Sequence, residues 1–143
     1  IWRTRRNLYE YILKFEPKSV TVLNNLGMEY SDIGKVELAR NLYLSAIKTD
    51  DTHPETRHNL GMIYFEENNL QEALNQFQAA LKIKPNFYYS HMWIGNLFLK
   101  VNNLSNAKAA YTRAYSIHKD PKIVAALKEI ARREALPQSR QEK

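Results

Sequence analysis

Small, apolar and aromatic positions recur along this chain with one fixed phase. Leu-Gly stands at 26–27 and 60–61 and Ile-Gly at 94–95, so Gly27, Gly61 and Gly95 are 34 residues apart. Three residues after each glycine comes an aromatic: Tyr30, Tyr64 and Phe98. Twelve after comes alanine (Ala39, Ala73, Ala107), sixteen after a second aromatic (Tyr43, Phe77, Tyr111), and nineteen after another alanine (Ala46, Ala80, Ala114). A period of this length without insertions is the mark of a repeat array, no unit of which buries its apolar face alone. Glycine inside a helix costs about 1 kcal/mol against alanine. Three glycines at one phase therefore imply close helix approach, with the aromatics filling the space between neighbours. Gly34, Asn68 and Asn102 also share a phase, and these residue types tolerate the left-handed conformation that ends a helix. The pattern thus predicts a first helix ending there and a second following after a short turn.

The ends fit the same frame. Running the phase backward aligns Arg5, Tyr9, Ile12 and Pro17 with the second helix of a repeat, so residues 1–17 are expected to form the second half of a partial repeat. That half-repeat implies a longer parent chain. Residues 121–135 are expected to form one more helix, apolar at Ile123, Val124, Leu127, Ile130 and Ala131 and basic at Lys128, Arg132 and Arg133. A polar-backed terminal helix is what such an array needs as a cap. Residues 137–143 are polar and expected to be disordered.

These six recurring positions resemble the tetratricopeptide repeat (TPR). The resemblance implies an all-α fold, a right-handed α-solenoid of antiparallel helix pairs. It sets three full repeats at 20–53, 54–87 and 88–121 within one domain, 1–136. Two departures stand out. Where the family often has tryptophan this chain has Leu23, Arg57 and His91. Of three expected prolines near the repeat ends only Pro85 is present, with Asp51 and Lys119 in its place elsewhere.

In this family the first helices of the repeats line a concave, partner-binding groove. Mapped here, the resemblance assigns Thr21, Asn24, Asn25, Met28, Ser31 and Asp32 from the first repeat. The second gives Glu55, His58, Asn59, Met62, Phe65 and Glu66, and the third Tyr89, Met92, Trp93, Asn96, Leu99 and Lys100. The residues expected to contact a partner are Asn25, Met28, His58, Asn59, Met62, Phe65, Tyr89, Met92, Trp93 and Asn96. An asparagine amide donates and accepts at once, so Asn25 and Asn59 suit the backbone of an extended peptide. The ladder breaks at Trp93. The methionines adapt to varied ligands, and Tyr89 and Trp93 are of the types that dominate binding energy. The carboxylate clamp of chaperone-binding relatives is not expected. Of its positions only Asn59 matches, while Asn24, Met28, Tyr89 and Trp93 replace the others, and no cation is among them.

Composition removes several chemistries. The absence of cysteine excludes disulfides, thiol nucleophiles and thiolate metal sites. His53, His58, His91 and His118 are not spaced as a metal motif. No phosphate-binding glycine loop, Gly-x-Ser-x-Gly or His-Glu-x-x-His occurs. Neither catalysis nor a cofactor is expected. The net charge is +6, but residues 1–18 and 122–143 each carry three of those charges and the middle is balanced. No basic stripe runs along the repeats, so nucleic acid is not an expected partner. No apolar run reaches the roughly 18 residues of a membrane span, and these residues carry no signal that fixes a compartment.

The expected function is a protein-interaction scaffold taking a helix or extended peptide in its groove. Two alternatives accompany it. Ile1-Trp2-Arg3-Thr4-Arg5-Arg6 with Pro17 and Asn24-Asn25-Leu26-Gly27 resembles the junction where membrane glycosyltransferase-like proteins pass into TPR tails. The other is self-association through the helical face left open by the N-terminal half-repeat.

Overall fold

The computed structural model describes residues 3–136; the expected polar tail at 137–143 lies outside them. The described residues form eight helices and no strand: α1 (Arg5–Phe15), α2 (Val20–Asp32), α3 (Val36–Thr49), α4 (Pro54–Glu66), α5 (Leu70–Ile83), α6 (Tyr88–Lys100), α7 (Leu104–Ile117) and α8 (Pro121–Glu134). They divide into two compact units, the first running to Pro85 and the second from Asn86. The first unit holds α1–α5 and the second α6–α8. The fold of the described residues is all-α.

Helices α2, α4 and α6 each end in the same way. Gly34, Asn68 and Asn102 take φ of 77°, 60° and 57°. The next residue then donates its N–H back across the turn: Lys35 to the Tyr30 carbonyl at 2.9 Å, Asn69 to Tyr64 and Asn103 to Phe98 at 2.8 Å. This closure satisfies carbonyls that a helix end otherwise leaves bare. The following helices α5 and α7 are capped by side chains. Asn69 accepts from the Glu72 N–H and Asn103 from the Asn106 N–H.

Within each helix pair the small–large match expected from sequence is tight. A Cβ placed on Gly27 would lie 2.5 Å from the Tyr43 ring, one on Gly61 2.7 Å from Phe77, and one on Gly95 2.7 Å from Tyr111. The missing side chain is therefore where the aromatic sits. In the first unit Ala39, Tyr43, Leu60 and Ile63 make a buried cluster against Tyr30, Val36, Ile47 and Tyr64. In the second, Ala107, Tyr111, Ala114, Ile123 and Ile130 form the core. Helix α8 supplies Ile123 and Ile130 to that core and keeps Lys128, Arg132 and Glu134 exposed.

Candidate functional site

Helices α2 and α4 of the first unit present a hollow of about 190 Å³, lined by Met28, Ser31, Asp32, Tyr43, Asn59, Met62, Ile63 and Glu66. Its shape follows from the repeat. Met28 and Met62 occupy one phase, as do Asp32 and Glu66, so each helix contributes a methionine and a carboxylate four residues apart on one face. Tyr43, from α3, forms part of the wall. Its hydroxyl makes no hydrogen bond among the described residues. Burial, with the charge of Asp32 added, pushes that phenol well above its ordinary range.

A second hollow of about 240 Å³ lies in the same unit, lined by Val20, Thr21, Asn24, His53, Glu55 and Thr56. Asn24 lines one hollow and Asn59 the other, and the Asn59 amide donates to the Asn24 carbonyl oxygen at 3.1 Å. The second hollow also holds two buried atoms without a hydrogen-bond partner, Nδ1 of His53 and Oγ1 of Thr56.

The expected partner-contact residues fall into three groups. Met28 is exposed, and Asn25, Asn59, Met62 and Phe65 are partly exposed on the first unit. Tyr89 is exposed and Trp93 partly so on the second, where the Tyr89 ring packs edge-on to Tyr88 at 5.3 Å. Of the remaining three, His58 is buried, while Met92 and Asn96 are partly exposed and engaged by neighbouring side chains. His58 was expected on the groove surface and is instead buried, 6% exposed, with its ring 5.3 Å from Phe77. Burial pushes its pKa down to about 4, so the ring is neutral at pH 7. The physical reason is phase: His58 lies three residues before Gly61, on the side of α4 that meets α5. Met92, at the same phase on α6, packs against the α7–α8 core. The Asn96 carbonyl accepts a 2.6 Å hydrogen bond from Tyr111. The Tyr88 hydroxyl, pushed up to about 12 chiefly by burial, donates to Asp120 at 2.7 Å.

Sequence reasoning missed Tyr43 as a wall of the first hollow, because its repeat phase marks it as core. The usable signal was the pair of methionines at 28 and 62, which put no polar partner beside its hydroxyl. Among the described residues no group of three or more histidines and carboxylates is placed to hold a metal, and no helix is long and apolar enough to cross a membrane.

Comparison with known proteins agrees with this architecture. A family model described as a tetratricopeptide repeat matches residues 20–53 and 88–121, and one described as a TPR repeat matches 61–102. No curated protein matches the chain. Among solved structures, a crystal structure of MamA is 23% identical, with a TM-score of 0.80 over 92% of this chain and 77% of that one. The first TPR of Spaghetti (RPAP3), bound to the HSP90 peptide SRMEEVD, is 20% identical, with a TM-score of 0.77 over 82% of this chain and 94% of its own. The first TPR domain of the human RPAP3 protein, solved by NMR, is also 20% identical, with a TM-score of 0.75 over 81% and 92%. Repeat period, helix-end geometry, the glycine–aromatic match and both family models agree: the chain belongs to the tetratricopeptide repeat family.

Proposed function

We propose that this chain holds a segment of a partner protein on the face of α2 and α4, with Asn25, Met28, Asn59, Met62 and Phe65 making contact. A protein-interaction scaffold is the class that TPR repeats support. The observation that carries the finer reading is the open hollow between Met28 and Met62, bordered by the Asn24–Asn59 pair. Methionine side chains adapt their shape to varied ligands. Paired helices locked by their glycine–aromatic contacts present the surface already formed, which lowers the ordering cost of binding. Tyr89 and Trp93 offer a second contact region on the other unit. The RPAP3 domain holds an HSP90 peptide. No lysine or arginine lines the hollow here, so a carboxylate-ended peptide is not the expected ligand.

Cross-linked capture from a source lysate tests this, comparing the wild type with an Asn59→Ala/Met62→Ala variant of matched helicity. A captured protein lost from the variant supports the reading. Capture unchanged in the variant moves the site away from α2 and α4.

Self-association has one observation in its favour: Phe15 of α1 is 70% exposed and pairs with Tyr11 at 5.0 Å between ring centroids. Sedimentation of the wild type against Phe15→Ser over a concentration series tests it. Equal, monomeric behaviour removes it.

A further inference from the structure

Resting on the reading of this face as the partner site, we propose that the segment it takes is basic: a lysine or arginine beside an apolar residue, seated in the α2–α4 hollow. Asp32, Glu55 and Glu66 line the two hollows of this face, and no lysine or arginine does. The base that does line them, His53, has its Nδ1 3.7 Å from Asp50.

The carboxylates of Asp32 and Glu66 make no hydrogen bond or ion pair among the described residues. Several other acids of the same unit are matched: Glu29 with Arg5, Glu37 and Glu67 with Arg40, Asp51 with Arg57. Position sharpens the contrast. Asp32 and Glu66 are the last residues of α2 and α4, where the helix dipole is negative and a cation is favoured. Neither helix has a basic residue in its last turn, whereas α3, α5 and α6 end with Lys48, Lys82 and Lys100. Two helix ends on one face thus lack the cation that their neighbours carry, and a partner's cation supplies it.

The apolar part of the hollow suits the same ligand. Met28 and Met62 lie four residues before Asp32 and Glu66, so a long basic side chain lays its methylenes over the thioethers and brings its head to the carboxylates. An arginine fork matches carboxylate geometry better than an ammonium does. The +6 net charge of the whole chain favours acidic partners at long range. That field fades over about 8 Å at physiological salt, and at the hollow itself an acidic segment meets like charge.

The test is selection of random short peptides displayed on phage against the whole chain, followed by fluorescence anisotropy with the enriched peptides. Three proteins are compared: the wild type, Asp32→Asn/Glu66→Gln and Met28→Ser/Met62→Ser. The expected result is enrichment of lysine or arginine next to apolar residues. Such peptides bind the Asn/Gln variant roughly fivefold more weakly at low salt, the scale of two exposed ion pairs. Enriched peptides that are acidic or uncharged, and that only the Met→Ser variant weakens, overturn the basic ligand while keeping the face as the partner site. Peptides that bind all three proteins equally, or no enrichment at all, overturn both readings.

Discussion

Helices α4 and α6 begin 34 residues apart in the same repeat phase, yet they present different surfaces. On α4, Met62 and Glu66 line an open hollow, and Asn59 borders it through its bond to Asn24. On α6, Asn96 is bonded to Tyr111, Tyr88 to Asp120, and Met92 packs against the α7–α8 core. The phase fixes which face of the helix is available. What the chain places beside that face decides whether it stays open. In the first unit the aromatic wall, Tyr43, meets methionine and finds no polar partner. In the second, the equivalent Tyr111 meets Asn96 and is tied down. A repeat position is therefore an address for a site and not evidence that the site is free.

The largest expected difference between the units is in their response to acid. His58 is buried and neutral, its pKa lowered from 6.5 to about 4; the same phase on α6 is Met92, which does not titrate. In the unfolded chain His58 binds a proton below about pH 6.5, and in the folded chain only below about 4. Stability is therefore full above 6.5 and falls as the pH drops from 6.5 toward 4, by up to about 3 kcal/mol. Opening free energies from amide exchange at pH 7 and 4.5 should fall more in α4 and α5 than in α6 and α7. In His58→Leu the excess should vanish. An equal fall in both units, or an unchanged excess in the variant, would sink the assignment.

Next in size is the glycine–aromatic contact. Gly27→Ala and Gly95→Ala both drive a methyl into a tyrosine ring, and overpacking of this kind costs about 1–3 kcal/mol. Tyr43 borders the hollow and has space to yield, whereas Tyr111 is held by Asn96. Urea denaturation should thus show Gly95→Ala nearer the upper figure and Gly27→Ala nearer the lower. The reverse order would mean that the hollow gives Tyr43 no freedom.

The fold was legible because its signals are local and repeated. Gly34, Asn68 and Asn102 marked helix ends by the backbone conformation they permit, and the glycines predicted the aromatics they face. Met28 and Met62, which share a phase in the sequence, line one hollow. Phase alone failed at His58, and it did not foresee the neighbours that engage Met92 and Asn96. Each lies at a boundary between face and core, and its fate depends on a residue from another helix: Phe77 for His58, the α7–α8 core for Met92, Tyr111 for Asn96. Those are tertiary contacts, and a single-helix pattern does not encode them. The unmatched acids at 32 and 66 were visible in sequence but carried no weight until the partners of the other carboxylates were known.

Tyrosine-to-phenylalanine changes isolate one such contact. Tyr111→Phe removes the hydroxyl that donates to Asn96 and leaves that amide oxygen unpaired, a loss of about 1 kcal/mol. Tyr43→Phe removes a hydroxyl on the wall of the hollow that has no hydrogen bond among the described residues, so stability should hold or rise slightly. Thermal unfolding of the two variants compares them directly. Equal losses would show that Tyr43 has a polar partner on its open side, such as an ordered water.

The smallest effect concerns the outer ion pairs, where the units differ in setting. Arg40 pairs with Glu37 and Glu67 and stands 5.2 Å above the Tyr64 ring, with its side chain mostly covered. At the same repeat phase two repeats on, Lys108 pairs with Glu134 at 3.2 Å, and both side chains are exposed. An exposed pair contributes roughly 0.2–1 kcal/mol and is weakened by salt. The cation–ring contact adds about 0.5–1 kcal/mol and is less easily screened. Arg40→Ala should therefore destabilise by about 1 kcal/mol, and Lys108→Ala by about 0.3 kcal/mol. Arg40→Lys separates the two contributions, because it keeps the charge but loses the planar fork that stacks on the ring and meets two carboxylates. Repeating the denaturation at high salt should abolish the Lys108 effect and leave about half of the Arg40 effect. If salt removed both, the ring contact would contribute nothing, and the two ion pairs would be equivalent despite their different surroundings.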